Sequence, residues 1–278
     1  MPLSRRSFLA LSAMIPWALQ ARASSSIPIG LEVYSVRDSF QRDPEGTLRS
    51  LAQMGYQCVE FYAPYYEWDE AQAKRMRKLL DDLGMRCYST HNDQEYFTAA
   101  KIQHARDLNL ILGSKYLVMA SAELGKTPDT WKALADSLNS AADQVSASGL
   151  RVGYHNHQPE FTNIGGTRPI EVLAKTTNPS VALQLDVGTC LEAGSDPVAW
   201  IRGNPGRIPS LHLKDWSSDP AKGYKVLFGE GDADWKKIFL AAESVGGAEY
   251  YLLEQEGSRF SEIETARRCL QSFRAMHA

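Results

Sequence analysis

Hydrophobic and polar positions alternate in two rhythms from residue 24 onward. Short runs rich in β-branched and aromatic residues recur about every 30 residues, with polar partners at alternate positions. They fall near 28–36, 57–62, 85–91, 115–120, 150–156, 181–187, 208–214 and 249–255. Between them lie segments with apolar residues three or four apart, among them PEGTLRSLAQMG, DEAQAKRMRKLLDDLG and PDTWKALADSLNSAADQVSASG. Several open on an acid or proline and stop at Gly55, Gly84, Gly113, Gly149 or Gly247, just ahead of the next run. A helix that ends through a left-handed residue hands over to a strand in this way. Repeated strand-then-helix units imply parallel strands with right-handed crossovers. Eight of them close into an α/β (β/α)8 TIM barrel. An open doubly wound sheet fits less well, because no GxGxxG follows the first strand.

Strand parity then separates the two faces. Leu211 and Leu213 oppose His212 and Lys214 in SLHLKD, and Leu183 and Leu185 oppose Gln184 and Asp186 in ALQLD. Glu32 shares a side with Tyr34, Glu60 with Tyr62, Ser89 with His91, and Glu254 with Glu256. The polar set is expected to face inward at the carboxyl ends of the strands, where barrels of this kind carry their function. Acids on that face have no structural purpose, since burying an unpaired carboxylate costs several kcal/mol.

Composition adds limits. The first residues combine an Arg5-Arg6 pair, an apolar run over 8–21 and a small-residue site ending at Ala23, the pattern of a twin-arginine signal peptide over 1–23. The run is shorter than the roughly 20 residues that span a bilayer, and it contains Pro16. We therefore expect one catalytic domain over 24–278, delivered to the periplasm by the twin-arginine export machinery and free of the membrane after processing. Loss of Arg5, Arg6 and Arg22 takes the formal charge from −3 to −6, and an acidic domain carries no nucleic-acid footprint. Cys58, Cys87, Cys190 and Cys269 lack CxxC spacing and sit in or beside apolar runs, as buried free thiols do.

The chemistry gathers in the second half. Glu160, Asp186, His212 and Glu254 bring three carboxylates and an imidazole from the ends of the fifth to eighth strands. Mutually repelling acids in a cleft require a cation. Oxygen-rich ligation without sulfur favours Mn²⁺, with Mg²⁺ or Co²⁺ as substitutes, and leaves open positions for substrate oxygens. His155 and His157 lie beside this set as base or hydrogen-bond partner. Lys214 is placed to stabilise an oxyanion or to pair with Asp215 or Glu254. His91, Glu60, Glu32, Trp216 and Glu230 are the expected substrate-binding residues. Tyr65, Tyr66 and Trp68 could stack on a ligand face or serve packing, and His104 and His277 read as solvated or structural.

YHNHQPEF, LDVG, HLKDW, FGEGDADW and LLEQE, in that order, resemble the sugar phosphate isomerase/epimerase family of xylose-isomerase-like barrels, over essentially the whole chain after the leader. The resemblance implies a Glu, Asp, His, Glu metal site and a carbohydrate substrate. Because many relatives carry the first glutamate within the fifth strand, where this sequence has His155, it also makes His155 the rival of Glu160 for the first ligand position. Proton removal beside a carbonyl would give an enediolate, which returns its proton in isomerisation or epimerisation. Relatives with the YHNHxxEF phrase also include enzymes that act eliminatively on 3-keto-glycosides, so a lyase or hydrolase of that kind is the alternative. A non-catalytic periplasmic sugar-binding barrel is the third reading, and it leaves the clustered acids unexplained.

Overall fold

The computed structural model describes residues 27–63, 65–123 and 125–277. The leader expected over 1–23 lies outside the described residues. Eight parallel strands form a closed barrel in sequence order: β1 (Ile29–Glu32), β2 (Cys58–Phe61), β3 (Arg86–Asn92), β4 (Tyr116–Met119), β5 (Arg151–His155), β6 (Ala182–Asp186), β7 (Ser210–Leu213) and β8 (Tyr250–Leu253). The α-helices are α1 (Arg37–Arg42), α2 (Pro44–Met54), α3 (Glu70–Asp82), α4 (Ile102–Leu112), α5 (Pro128–Ser146), α6 (Gln158–Phe161), α7 (Pro169–Thr176), α8 (Val187–Glu192), α9 (Pro197–Gly203), α10 (Trp235–Ala241) and α11 (Glu262–Met276). Among the described residues no helix is long and apolar enough to cross a membrane.

Local chemistry explains the handovers. α2 starts at Pro44 behind the cap of Asp43, whose carboxylate accepts from Gly46 N at 2.9 Å, and ends at Gly55 with φ 96. α4 ends the same way at Gly113, φ 77. A side chain in this conformation is strained, so glycine lets the chain turn back to the next strand at no steric cost.

The expected parity holds. Leu31, Val59, Leu117, Val152, Leu183, Leu211 and Leu253 are buried in the main hydrophobic core with residues of the surrounding helices. Inside the barrel a separate cluster of Cys58, Tyr116, Val118, Ala182, Tyr250 and Leu252, with Tyr88 against it, fills the amino-terminal half. Gly30 faces this interior, where a Cβ would lie 2.5 Å from Cys58 Sγ, so the close packing of β1 on β2 requires glycine. Two departures from the sequence reading stand out. β1 is short because the Glu32 carboxylate accepts from Tyr34 N and starts a 3-10 turn over Val33–Val36. β3 carries a bulge, with Val59 opposite Cys87 but Glu60 opposite Ser89, which adds Tyr88 to the interior. All four cysteines are free and buried.

Candidate metal centre and active site

The strand register sets the site. Asp186 lies opposite His212 and His155 opposite Gln184, while Glu32 lies opposite Glu60. Each ends or nearly ends its strand, so the side chains converge at the carboxyl mouth of the barrel.

Asp186 is aimed by the turn it begins. Its Oδ1 accepts from Thr189 N at 2.9 Å and caps α8. Asn156 clamps its backbone, accepting from Asp186 N and donating to Asp186 O. Asp186 Oδ2 is left fully buried without a hydrogen-bond partner. It lies 3.8 Å from His155 Nε2 and 3.7 Å from Lys214 Nζ. His212 sits between two carboxylates, with Nδ1 2.5 Å from Glu254 Oε2 and Nε2 2.7 Å from Glu60 Oε2. The His155 ring centroid is 4.4 Å from that of His212 and 4.7 Å from that of His91.

Burial alone would lower the His212 imidazole, but Glu60 and Glu254 outweigh it and push its pKa well up. Burial likewise opposes the charge on Glu60, yet His91 and His212 hold its carboxyl down at about 2. Lys214 and His212 overcome burial at Glu254 and keep it well below the usual carboxylate range. Burial pushes Asp186 up, with Lys214 only partly opposing, and pushes Glu32 well up with help from the Glu60 charge. His155 and His91 are driven down, chiefly by burial, and are neutral imidazoles.

Ligand atoms of His155, Asp186 and Glu254 lie within 4.8 Å of one another, and those of His91, His155 and His212 do the same. Donors of this kind, with an orphaned carboxylate oxygen aimed among them, fit a divalent cation. Such a buried oxygen is otherwise destabilising. His155, Asp186, His212 and Glu254 are the residues that would hold it.

Glu160 requires a correction. Its Oε1 accepts from Tyr154 OH at 2.7 Å and its Oε2 from His157 N at 3.0 Å. Tyr154 faces the outer layer, so Glu160 ties the α6 turn to the back of β5 and is not among the clustered metal-ligating side chains, which include His155. Glu60 is corrected as a substrate contact too, because it is wholly buried and both oxygens are engaged by His91, His212 and Gln184. Glu230 lies apart from the mouth, paired with Arg259 and accepting from Leu227 N. Trp216 is half-buried and is not among the residues lining the mouth. Tyr65, Tyr66 and Trp68 are buried in edge-on contacts with one another, as packing residues.

A mouth cavity of about 270 Å³ is lined by Glu32, His91, His155, His157 and Glu254, which the sequence singled out, and also by Tyr34, Tyr62, Asp93 and Glu256. Tyr34 and Tyr62 meet edge to face at 5.1 Å on its rim. A larger cavity of about 800 Å³ lies between α7 and α9, but none of the clustered metal-ligating side chains lines it. Lys214 pairs with Glu254 at 3.3 Å and with Glu256. Asp215 is committed elsewhere, accepting from Gly229 N, Gly231 N and Trp235 Nε1. His104 bonds to the Tyr66 carbonyl and His277 to Glu243, both structural. Sequence reasoning gave no role to Gln184 or Asn156. The signal available was parity, since Gln184 lies two residues before Asp186 on the same face.

A closed eight-stranded barrel with this mouth belongs to the xylose isomerase-like TIM barrel family, whose family model matches residues 48–276. An inosose dehydratase of Clostridium tetani is 30% identical over 158 residues, 50% of this chain and 52% of that protein. The chain thus spans about half the length of that curated relative. The structure of a sugar phosphate isomerase/epimerase from Parabacteroides distasonis superposes with a TM-score of 0.78 and 25% identity, covering 92% of this chain and 96% of that one. An IOLI protein whose structure holds a zinc atom has the same fold, with a TM-score of 0.70 and 14% identity over 90% of this chain and 99% of its own.

Proposed function

We propose that the protein is a divalent-metal-dependent enzyme that removes a proton beside the carbonyl of a carbohydrate or cyclitol. The observation that carries this reading is the cluster of His155, Asp186 and Glu254 at the unpartnered Asp186 Oδ2, to which His212 is joined through Glu254 Oε2. Two imidazoles and two carboxylates favour Mn²⁺ or Co²⁺ over Mg²⁺, since nitrogen ligands suit the transition metals better. When bound, the ion supplies polarisation of a substrate carbonyl and so acidifies the neighbouring C–H.

The chain's own residues supply the rest. His91 is neutral and donates from Nε2 toward Gln184 and Glu60, which leaves Nδ1 as the accepting atom on a side chain that lines the mouth. Lys214 is held protonated between Glu254 and Glu256, so its Nζ stabilises negative charge and does not act as a base. A cavity of about 270 Å³ lies just below the usual range of ligand sites, which starts at about 300 Å³, and suits no more than a single ring. The tyrosine pair on its rim offers an apolar edge to such a ring.

Return of the proton to a carbon makes the enzyme an isomerase or epimerase. Loss of an oxygen substituent from the next carbon makes it a dehydratase or lyase on the same intermediate, and the likeness to inosose dehydratase favours this second outcome. The Arg5-Arg6 leader supports an exported enzyme. Incubation of the Mn²⁺-loaded protein in D₂O with ketoses, inososes and 3-keto-glucosides tests the reading. Deuterium in a recovered substrate or isomer supports proton return, and formation of an unsaturated carbonyl product or release of an aglycone supports elimination. If no candidate either exchanges or is converted in the presence of Mn²⁺ or Co²⁺, the enzymatic reading fails.

A further inference from the structure

Beneath the proposed ligands lies a buried pair, Glu60 on β2 and Gln184 on β6, that touches both imidazoles. Gln184 Nε2 donates to Glu60 Oε1 at 2.9 Å and to Ser210 Oγ at 3.1 Å. A carboxylate only accepts, so Glu60 fixes which end of the amide faces it. The other end, Gln184 Oε1, then accepts from His155 Nδ1 at 3.0 Å and from His91 Nε2 at 2.7 Å. With its proton on Nδ1, His155 turns a bare Nε2 toward Asp186 Oδ2. Glu60 Oε2 accepts from His212 Nε2 at 2.7 Å, which leaves Nδ1 as the nitrogen facing Glu254.

We propose that Glu60 and Gln184 are positioning residues. Glu60 sets the tautomer of His212 directly and, through its hydrogen bond to Gln184, that of His155, presenting His155 Nε2 and His212 Nδ1 to a divalent cation. This rests on the metal centre proposed above. Carboxylates or carbonyls behind metal-binding histidines fix ring orientation and raise ligand basicity. Here a single carboxylate does so for one ring directly and for the other through an amide. The arrangement gives a purpose to Glu60, a wholly buried carboxylate that does not line the mouth cavity.

The test uses Co²⁺ and the metal-stripped full chain. Calorimetric titration of the wild type is expected to give one Co²⁺ per chain. Proton NMR of the Co²⁺ form should show two strongly shifted, solvent-exchangeable ring N–H signals, from His155 Nδ1 and His212 Nε2. Glu60→Gln, which removes the charge that orients the amide, and Gln184→Met, which keeps the shape and deletes the hydrogen bonds, should each weaken Co²⁺ binding by about 10- to 100-fold. Ser210→Ala, which removes only the other acceptor of Gln184, should leave affinity within about twofold. Wild-type affinity in a folded Glu60 or Gln184 variant overturns the proposal. So does a Co²⁺ form lacking the two exchangeable signals, which is a measurement that needs no variant. Two Co²⁺ per chain would make Glu60 a ligand in its own right, with Glu32 and His212, and would also overturn it. Absence of any wild-type binding overturns the metal centre itself, and this inference with it.

Discussion

The two ends of the barrel interior are built on opposite principles from the same eight strands. At the amino-terminal floor, Cys58, Tyr88, Tyr116, Val118, Ala182, Tyr250 and Leu252 interdigitate, with Tyr88 and Tyr250 rings 5.2 Å apart. The polar reach of Tyr116 ends outside the cluster, where its OH donates to Glu249. Further toward the carboxyl ends of the strands, Glu32, Glu60, His91, His155, Asp186, His212 and Glu254 are also buried, yet they are ionisable. The floor is therefore a source of stability, and the mouth holds groups that stability alone would replace. The difference teaches that burial in this barrel does not distinguish core from site; the balance of charge within each layer does.

The largest effects should separate the two ends cleanly. Asp186→Asn and Glu254→Gln keep volume and remove a proposed ligand charge, so metal-dependent turnover should fall by about 10³-fold or more, a transition-state loss of roughly 4 kcal/mol. The urea midpoint of Asp186→Asn should move little, because burial already disfavours that charge, whereas Glu254→Gln leaves Lys214 and His212 short of a partner and should lower it. Tyr250→Ala should do the reverse, lowering stability by roughly 3–5 kcal/mol through cavity formation while Mn²⁺ affinity of the folded fraction stays unchanged. Calorimetric metal titration and urea unfolding on each variant check the pair. A mouth variant that unfolds, or a floor variant that loses metal, would erase the division.

A finer comparison is between Glu160 and His155, neighbours in YHNHQPEF with opposite placements. Glu160→Gln should leave Mn²⁺ affinity within about twofold and cost about 1 kcal/mol, because it weakens a charge-assisted bond to Tyr154 and a backbone cap. His155→Ala should weaken binding by about 100-fold or more, because a ligand is removed. Titration of both variants decides the assignment, and a large affinity loss in Glu160→Gln would restore it as a ligand.

The same pair shows what the sequence could carry. Barrel closure, strand order and inward parity were legible because period-2 runs and helix-ending glycines are local signals. Asp186, His212, Glu254 and Lys214 followed from parity, since each lies on or just beyond a strand. Glu160 lies five residues beyond β5, inside a turn whose direction depends on the Tyr154 hydroxyl and on the contact of Phe161 with Trp200. No local pattern encodes that direction. Gln184 was hidden for another reason. Its role depends on Glu60, 124 positions away, and long-range hydrogen bonding leaves no periodic trace.

The smallest effect belongs to the floor's outer edge. Glu249 accepts from Tyr116 OH at 2.7 Å and pairs with Lys115 at 3.0 Å, while Arg151 donates to the same hydroxyl at 3.1 Å. Burial would raise its carboxyl, but Tyr116 and Lys115 outweigh burial and hold the pKa below the ordinary value. A carboxylate depressed in the folded state adds stability that is present above its unfolded pKa, about 4.3, and is lost as pH falls through the folded value. The group is partly solvated, so the contribution is screened. Glu249→Gln should therefore be slightly less stable than wild type at pH 7, with the gap in urea midpoint closing below about pH 4. The mouth clusters are unchanged in this variant, so metal affinity at pH 7 should match wild type. A gap that persists or widens in acid would mean that Glu249 acts through packing, and the floor would then owe nothing to charge even at its rim.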